Sequence, residues 1–140
     1  MLKTIKVGVL IGIFLLLNAS VNAQQTQNQQ SKTKKNMQVT LIDRLTVPPG
    51  AKEEFIRRMN MNLEIIKKQP GFIKNEVFEP LDPHGDLIYV TTATYENEDA
   101  FQKAKQAVQA EYQREGFDMV AFAQRLNIKI DRGIYHPTGD

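Results

Sequence analysis

The chain has 140 residues, 18 Lys plus Arg against 16 Asp plus Glu, no Cys, no Trp and a formal charge of +2. Without cysteine there is no disulfide scaffold, thiolate nucleophile, Cys-ligated zinc or lipid-modified cysteine, and two histidines cannot build a histidine-rich metal site, so no metal site is expected. A hydrophobic content of 41% fits a globular chain, and the length fits one domain.

Residues 1–23 read as a secretory signal peptide. Lys3 and Lys6 form a basic start, Val7 to Leu17 is an apolar run broken only by glycines, and Val21-Asn22-Ala23 is a small-residue cleavage site. The run is short against the roughly 20 residues that span a bilayer, so no membrane span is expected after cleavage. The protein is then exported, to a periplasm or outside the cell. Residues 24–36 (QQTQNQQSKTKKN) have no apolar periodicity and read as a disordered Gln/Lys-rich tether. The remaining residues 37–140 carry 13 basic against 16 acidic groups, so the folded part is mildly acidic. Nucleic-acid binding needs a basic stripe to neutralise phosphates and is not expected of it.

Met37 to Val47 alternates with period two and ends at Pro48-Pro49-Gly50, a strand followed by a breaker. Ala51 to Gln69 predicts a helix: Phe55, Met59, Leu63 and Ile66 share one face, Glu53 and Glu54 sit in the first turn and Lys67 and Lys68 in the last. Pro70-Gly71 stops it. Phe72 to Pro80 and Leu87 to Tyr95 read as a hairpin joined through Asp82-Pro83-His84-Gly85, with His84 an exposed turn residue. A second helix follows the N-cap Asn97 and carries Phe101, Ala104, Val108 and Tyr112 on one face as far as Gly116. Asp118 caps a further short helix, Ile128 to Tyr135 alternates as the last strand, and residues 137–140 form a tail.

The order is β-α-β-β-α-β with one extra short helix, an α+β, ferredoxin-like arrangement of one antiparallel sheet with helices on one face. In the first strand Val39, Leu41, Asp43, Leu45 and Val47 share the helix-facing side. A carboxylate there costs several kcal/mol, on the order given for unpaired buried ions, so Asp43 requires a partner, a protonated state or a wet cavity. Arg132 interrupts the inward set Ile128, Ile130 and Ile134 and either neutralises Asp43 or binds an anionic substrate. His136 continues that parity toward the rim. In the third strand Leu87, Tyr89, Thr91, Ala93 and Tyr95 lie on one face and Ile88, Val90, Thr92 and Thr94 on the other. Two apolar or β-branched faces predict that the sheet packs on a second copy in a two-fold homodimer.

The element order, with IDRLTVPPGAKEEFIRRM after the first strand, QPGF before the second and TATYENEDAFQKA across the third strand and second helix, resembles the antibiotic biosynthesis monooxygenase family over Met37 to His136. The resemblance implies a dimeric α/β barrel of ferredoxin-like subunits at residues 37–136. It also implies a pocket between helices and sheet, and oxygenation of a small aromatic or quinone-like substrate without a cofactor, because an electron-rich phenolate itself activates oxygen. On that basis Asp43 stands where similar enzymes place a polar side chain and is a catalytic candidate, as base or orienting acceptor. Tyr95 stands where they commonly have Trp and is the second catalytic candidate. Tyr112, Phe101, Arg132 and His136 are candidate substrate-binding residues. No histidine lies between Asn97 and Gly116, where haem-degrading members carry their proximal ligand, so haem degradation by that scheme is not expected. The alternative function is a non-catalytic ligand-binding or stress-response module with the same dimeric pocket.

Overall fold

The computed structural model describes residues 37–138. The signal-peptide and tether readings at 1–36, and the last two residues of the tail, lie outside them. Four strands, β1 (Val39–Val47), β2 (Phe72–Phe78), β3 (Leu87–Tyr95) and β4 (Lys129–Tyr135), form one antiparallel sheet in the order β2-β3-β1-β4. The helices are α1 (Lys52–Ile66), α2 (Glu98–Glu115) and α3 (Met119–Arg125), so the fold is the expected ferredoxin-like α+β arrangement.

The local signals act through the groups that carry them. Pro48 begins a single 3-10 turn, Pro49–Ala51, that leads from β1 into α1. Asn97 accepts a bond from the Ala100 amide at 2.9 Å, and Asp118 accepts from the Val120 and Ala121 amides at 2.8 and 3.0 Å, so both caps satisfy amides left free at a helix start. Gly116 ends α2 at φ 66. Helix α1 ends at Ile66, with Lys67 as its C-cap, so the two lysines assigned to its last turn fall just beyond it.

Asp43 on β1 stands opposite Thr91 on β3 and Arg132 on β4. Around that point the helix-facing side divides into two packed ends. One contains Leu45, Val47, Phe55, Leu87, Tyr89, Phe122 and Ile128, with the Phe55 and Tyr89 rings 5.2 Å apart. The other contains Val39, Ala93, Tyr95, Ala100, Phe101 and Ala104. On the opposite side of the sheet Thr40 and Thr94 hydrogen-bond at 3.0 Å, and the end of the Tyr135 ring lies over Gly133, within 2.2–2.4 Å of where a Cβ would stand. Glycine at 133 is what admits that ring. Among the described residues no helix is long and apolar enough to cross a membrane.

Candidate functional site

Between the two packed ends the sheet and helices form a cavity of about 440 Å³. Its floor is the inner face of β1, β3 and β4 at Leu41, Asp43, Thr91, Ala93, Tyr95 and Arg132, and its walls come from α1 and α2, including Arg58, Asn62, Leu63, Ile66, Phe101, Val108 and Tyr112. Most of these groups are apolar or aromatic, with a few convergent polar atoms, as expected of a small-molecule site.

Opposed strand positions bring Asp43 and Arg132 together. Arg132 Nε donates to Asp43 Oδ1 and Arg132 Nη2 to Asp43 Oδ2, both at 2.7 Å, in a two-pronged pair. The Asp43 side chain is 11% exposed and that of Arg132 57%, so the carboxylate is seated inside while the guanidinium reaches the cavity's open side. Of the alternatives open for Asp43 the partner is realised, and it is an arginine from the neighbouring strand. The bond to Asp43 holds Arg132 above its usual range against the opposing effect of burial. Arg132 has five N–H donors and spends two on Asp43, leaving three for other acceptors.

Tyr95 is 2% exposed, with its ring 5.6 Å from Phe101 and 6.0 Å from Phe72. Burial pushes its hydroxyl up to about 12, opposed by the charge of Arg132, so it is a neutral hydrogen-bonding group at physiological pH. Phe101 belongs to the same packed end and also lines the cavity. Tyr112, from α2, lines the cavity with its hydroxyl accepting a bond from Asn62 Nδ2 at 2.8 Å.

His136 does not join them. Strand β4 ends at Tyr135, so the alternation that would have carried the ring to the rim is broken, and His136 Nδ1 donates to the Gln38 carbonyl at 2.9 Å outside the cavity. His84 is paired with Asp82 at 3.1 Å in the exposed hairpin turn. Among the described residues no group of three or more His, Cys, Asp or Glu is placed to hold a metal ion.

Arg58 and Asn62 are among the site residues that escaped the sequence reading. Arg58 is only 7% exposed, donates from Nη1 to Glu115 Oε2 at 2.5 Å, and lays its guanidinium 3.9 Å from the Phe117 ring centre and 4.7 Å from that of Tyr112. Asn62 lies one turn further along α1. The available signal was spacing: Arg58 follows Phe55 by three and Asn62 follows Met59 by three, which puts both on the inward stripe.

The chain belongs to the antibiotic biosynthesis monooxygenase family, whose model matches residues 38–114, more than half of its length. Among solved structures it is similar to SnoaB, a cofactor-independent oxygenase from Streptomyces nogalater, at 25% identity and a TM-score of 0.53, over 74% of this chain and 96% of that one. The fold also recurs in a dimeric ferredoxin-like protein from an uncultured marine organism, at 13% identity, TM-score 0.58, and 74% and 98% coverage. A conserved protein from Methanosarcina mazei Go1 shares it at 16% identity, TM-score 0.57, and 76% and 99% coverage. No curated protein matches the chain.

Proposed function

We propose that the protein is an exported, cofactor-independent monooxygenase acting on a small aromatic, quinone-like compound, and that it works as a two-fold dimer. The observation that carries the reading is the largely apolar cavity, open on one side, with the Asp43–Arg132 pair set in its floor. Membership of a monooxygenase family and likeness to a cofactor-independent oxygenase support the reaction class. The exposed Ile88 and Phe78 on the sheet face away from the helices support the dimer.

In this reading the flat ring lies among Leu63, Ile66, Phe101 and Val108. A phenolic or enolic oxygen meets the spare N–H groups of Arg132, which favour the deprotonated, electron-rich form. That anion supplies the electrons to oxygen. One oxygen atom enters the substrate and the other leaves as water with two substrate hydrogens. Asp43 is a positioning residue for Arg132, and each of its oxygens keeps a second lone pair able to receive a proton. Tyr95 donates from a neutral hydroxyl.

Oxygen consumption by the purified protein with anthrone and a panel of hydroquinones tests the reading. The wild type is expected to exceed buffer alone, with Asp43→Ala and Arg132→Met at least tenfold slower; rates equal to buffer for all of them contradict it. Export predicts that the mature protein begins at Gln24, and N-terminal sequencing that finds Met1 refutes that part. A dimer predicts twice the chain mass in solution, and a monomeric mass contradicts it.

A second reading, a non-catalytic module that holds an apolar ligand, is favoured by one observation: both Asp43 oxygens are already engaged by Arg132. Native mass spectrometry that finds a retained, unmodified ligand, with no oxygen consumption, selects it.

A further inference from the structure

Resting on the cavity reading above, we propose that Tyr112 is the specificity-determining donor of the site: its hydroxyl proton binds an anionic oxygen of the aromatic ligand, and Asn62 and Arg58 are positioning residues that hold it there. Three contacts fix the ring. Arg58 lies over its face, Phe117 meets its edge at 4.9 Å between ring centres, and Asn62 Nδ2 donates to its oxygen at 2.8 Å. With the asparagine donating, the Tyr112 oxygen is the acceptor in that bond and its own proton is left free for another acceptor. Among the described residues it makes no other hydrogen bond, and the residue lines the cavity.

The charges around it set the ligand's chemistry. Arg58, Lys105 and Arg132 line the cavity together with Asp43; Asp43 pairs with Arg132 and Glu115 pairs with Arg58, so Lys105 is the lining cation that no carboxylate offsets among the described residues. Exposed on α2, four residues after Phe101 and seven before Tyr112, it reaches the cavity at its margin. Arg58 adds a cation over the Tyr112 ring. Such surroundings favour a ligand that brings negative charge on oxygen, as a hydroxyquinone anion does. A neutral hydrocarbon of the same shape gains only from the apolar walls.

The test uses the full-length protein and two probes of similar size, 2-hydroxy-1,4-naphthoquinone, anionic at pH 7, and naphthalene. Wild type is expected to bind the hydroxyquinone at least tenfold more tightly than naphthalene. Tyr112→Phe should weaken the hydroxyquinone about tenfold, the scale of one hydrogen bond to a charged group, and leave naphthalene within about twofold. Asn62→Ala should weaken the hydroxyquinone by a smaller factor in the same direction. Equal hydroxyquinone affinity for wild type and Tyr112→Phe would overturn the assignment while leaving the cavity reading in place. Failure of wild type to bind either probe overturns the cavity reading, and this assignment with it. Circular dichroism identifies a variant that fails to fold, and Asn62→Ala then carries the comparison.

Discussion

The two packed ends of the sheet's inner face and its hollow middle are built from the same strands, yet they obey different rules. At the ends, Val39, Val47 and Tyr89 are at most 1% exposed and the facing helices bring Phe55, Ala104 and Phe122 down onto them. In the middle, four residues from either end of β1, the inward position is a carboxylate and the helices supply Arg58, Asn62 and Tyr112. Interiors pack to the density of organic crystals, so a volume of about 440 Å³ left in one is a departure from what stability alone selects. The ends hold the fold, and the polar groups of the middle are kept at some cost to it.

That contrast orders the expected effects of mutation. Phe55→Ala empties a buried site beside Tyr89 and should destabilise the fold by about 3–5 kcal/mol, read from the denaturant midpoint; a loss below about 1 kcal/mol would place Phe55 outside the packed end. Alkaline titration reaches the boundary between the regions through Tyr95. Its hydroxyl ionises near 12 when folded and near 10 when unfolded, so the unfolded state loses its proton first. Stability from this group is therefore intact below pH 10 and falls as pH rises from 10 through 12, by about 2–3 kcal/mol at about 1.4 per unit. Tyr95→Phe should flatten that decline, and an unchanged slope would contradict the assignment.

In the middle, Arg132→Met strands a seated carboxylate and should cost about 1–3 kcal/mol. The double variant Asp43→Asn/Arg132→Met should recover part of that loss, because the stranded charge is removed along with its partner. No recovery would mean that Arg132 stabilises the fold by packing rather than by pairing. The smallest effect is expected at the hairpin: Leu81 is fully exposed, and Leu81→Ser should stay within about 0.5 kcal/mol of the wild type.

The contrast was partly legible in the sequence. Period-two alternation put Asp43 among inward apolar residues, and β4 parity gave it Arg132, because strands translate spacing directly into facing. Caps at Asn97 and Asp118 fixed the helix starts to the residue. What was not legible depends on contacts between elements. Arg58 was passed over because its burial depends on Glu115, Tyr112 and Phe117, which meet it from α2 and the segment beyond it. The reading of His136 failed because alternation describes a strand only while the strand continues, and β4 stops one residue earlier. The size of the cavity had no local signature, since it is set by where two helices do not touch a sheet.

Anthrone turnover under oxygen-18 gas tests the proposed activity most directly. Conversion of the anthrone methylene to a carbonyl removes two hydrogens, takes one oxygen atom from the gas and releases the other as water. Monooxygenation predicts anthraquinone carrying a single oxygen-18 atom, formed by the wild type at least tenfold faster than by Arg132→Met. Anthraquinone formed no faster than in buffer, or without label, would contradict it.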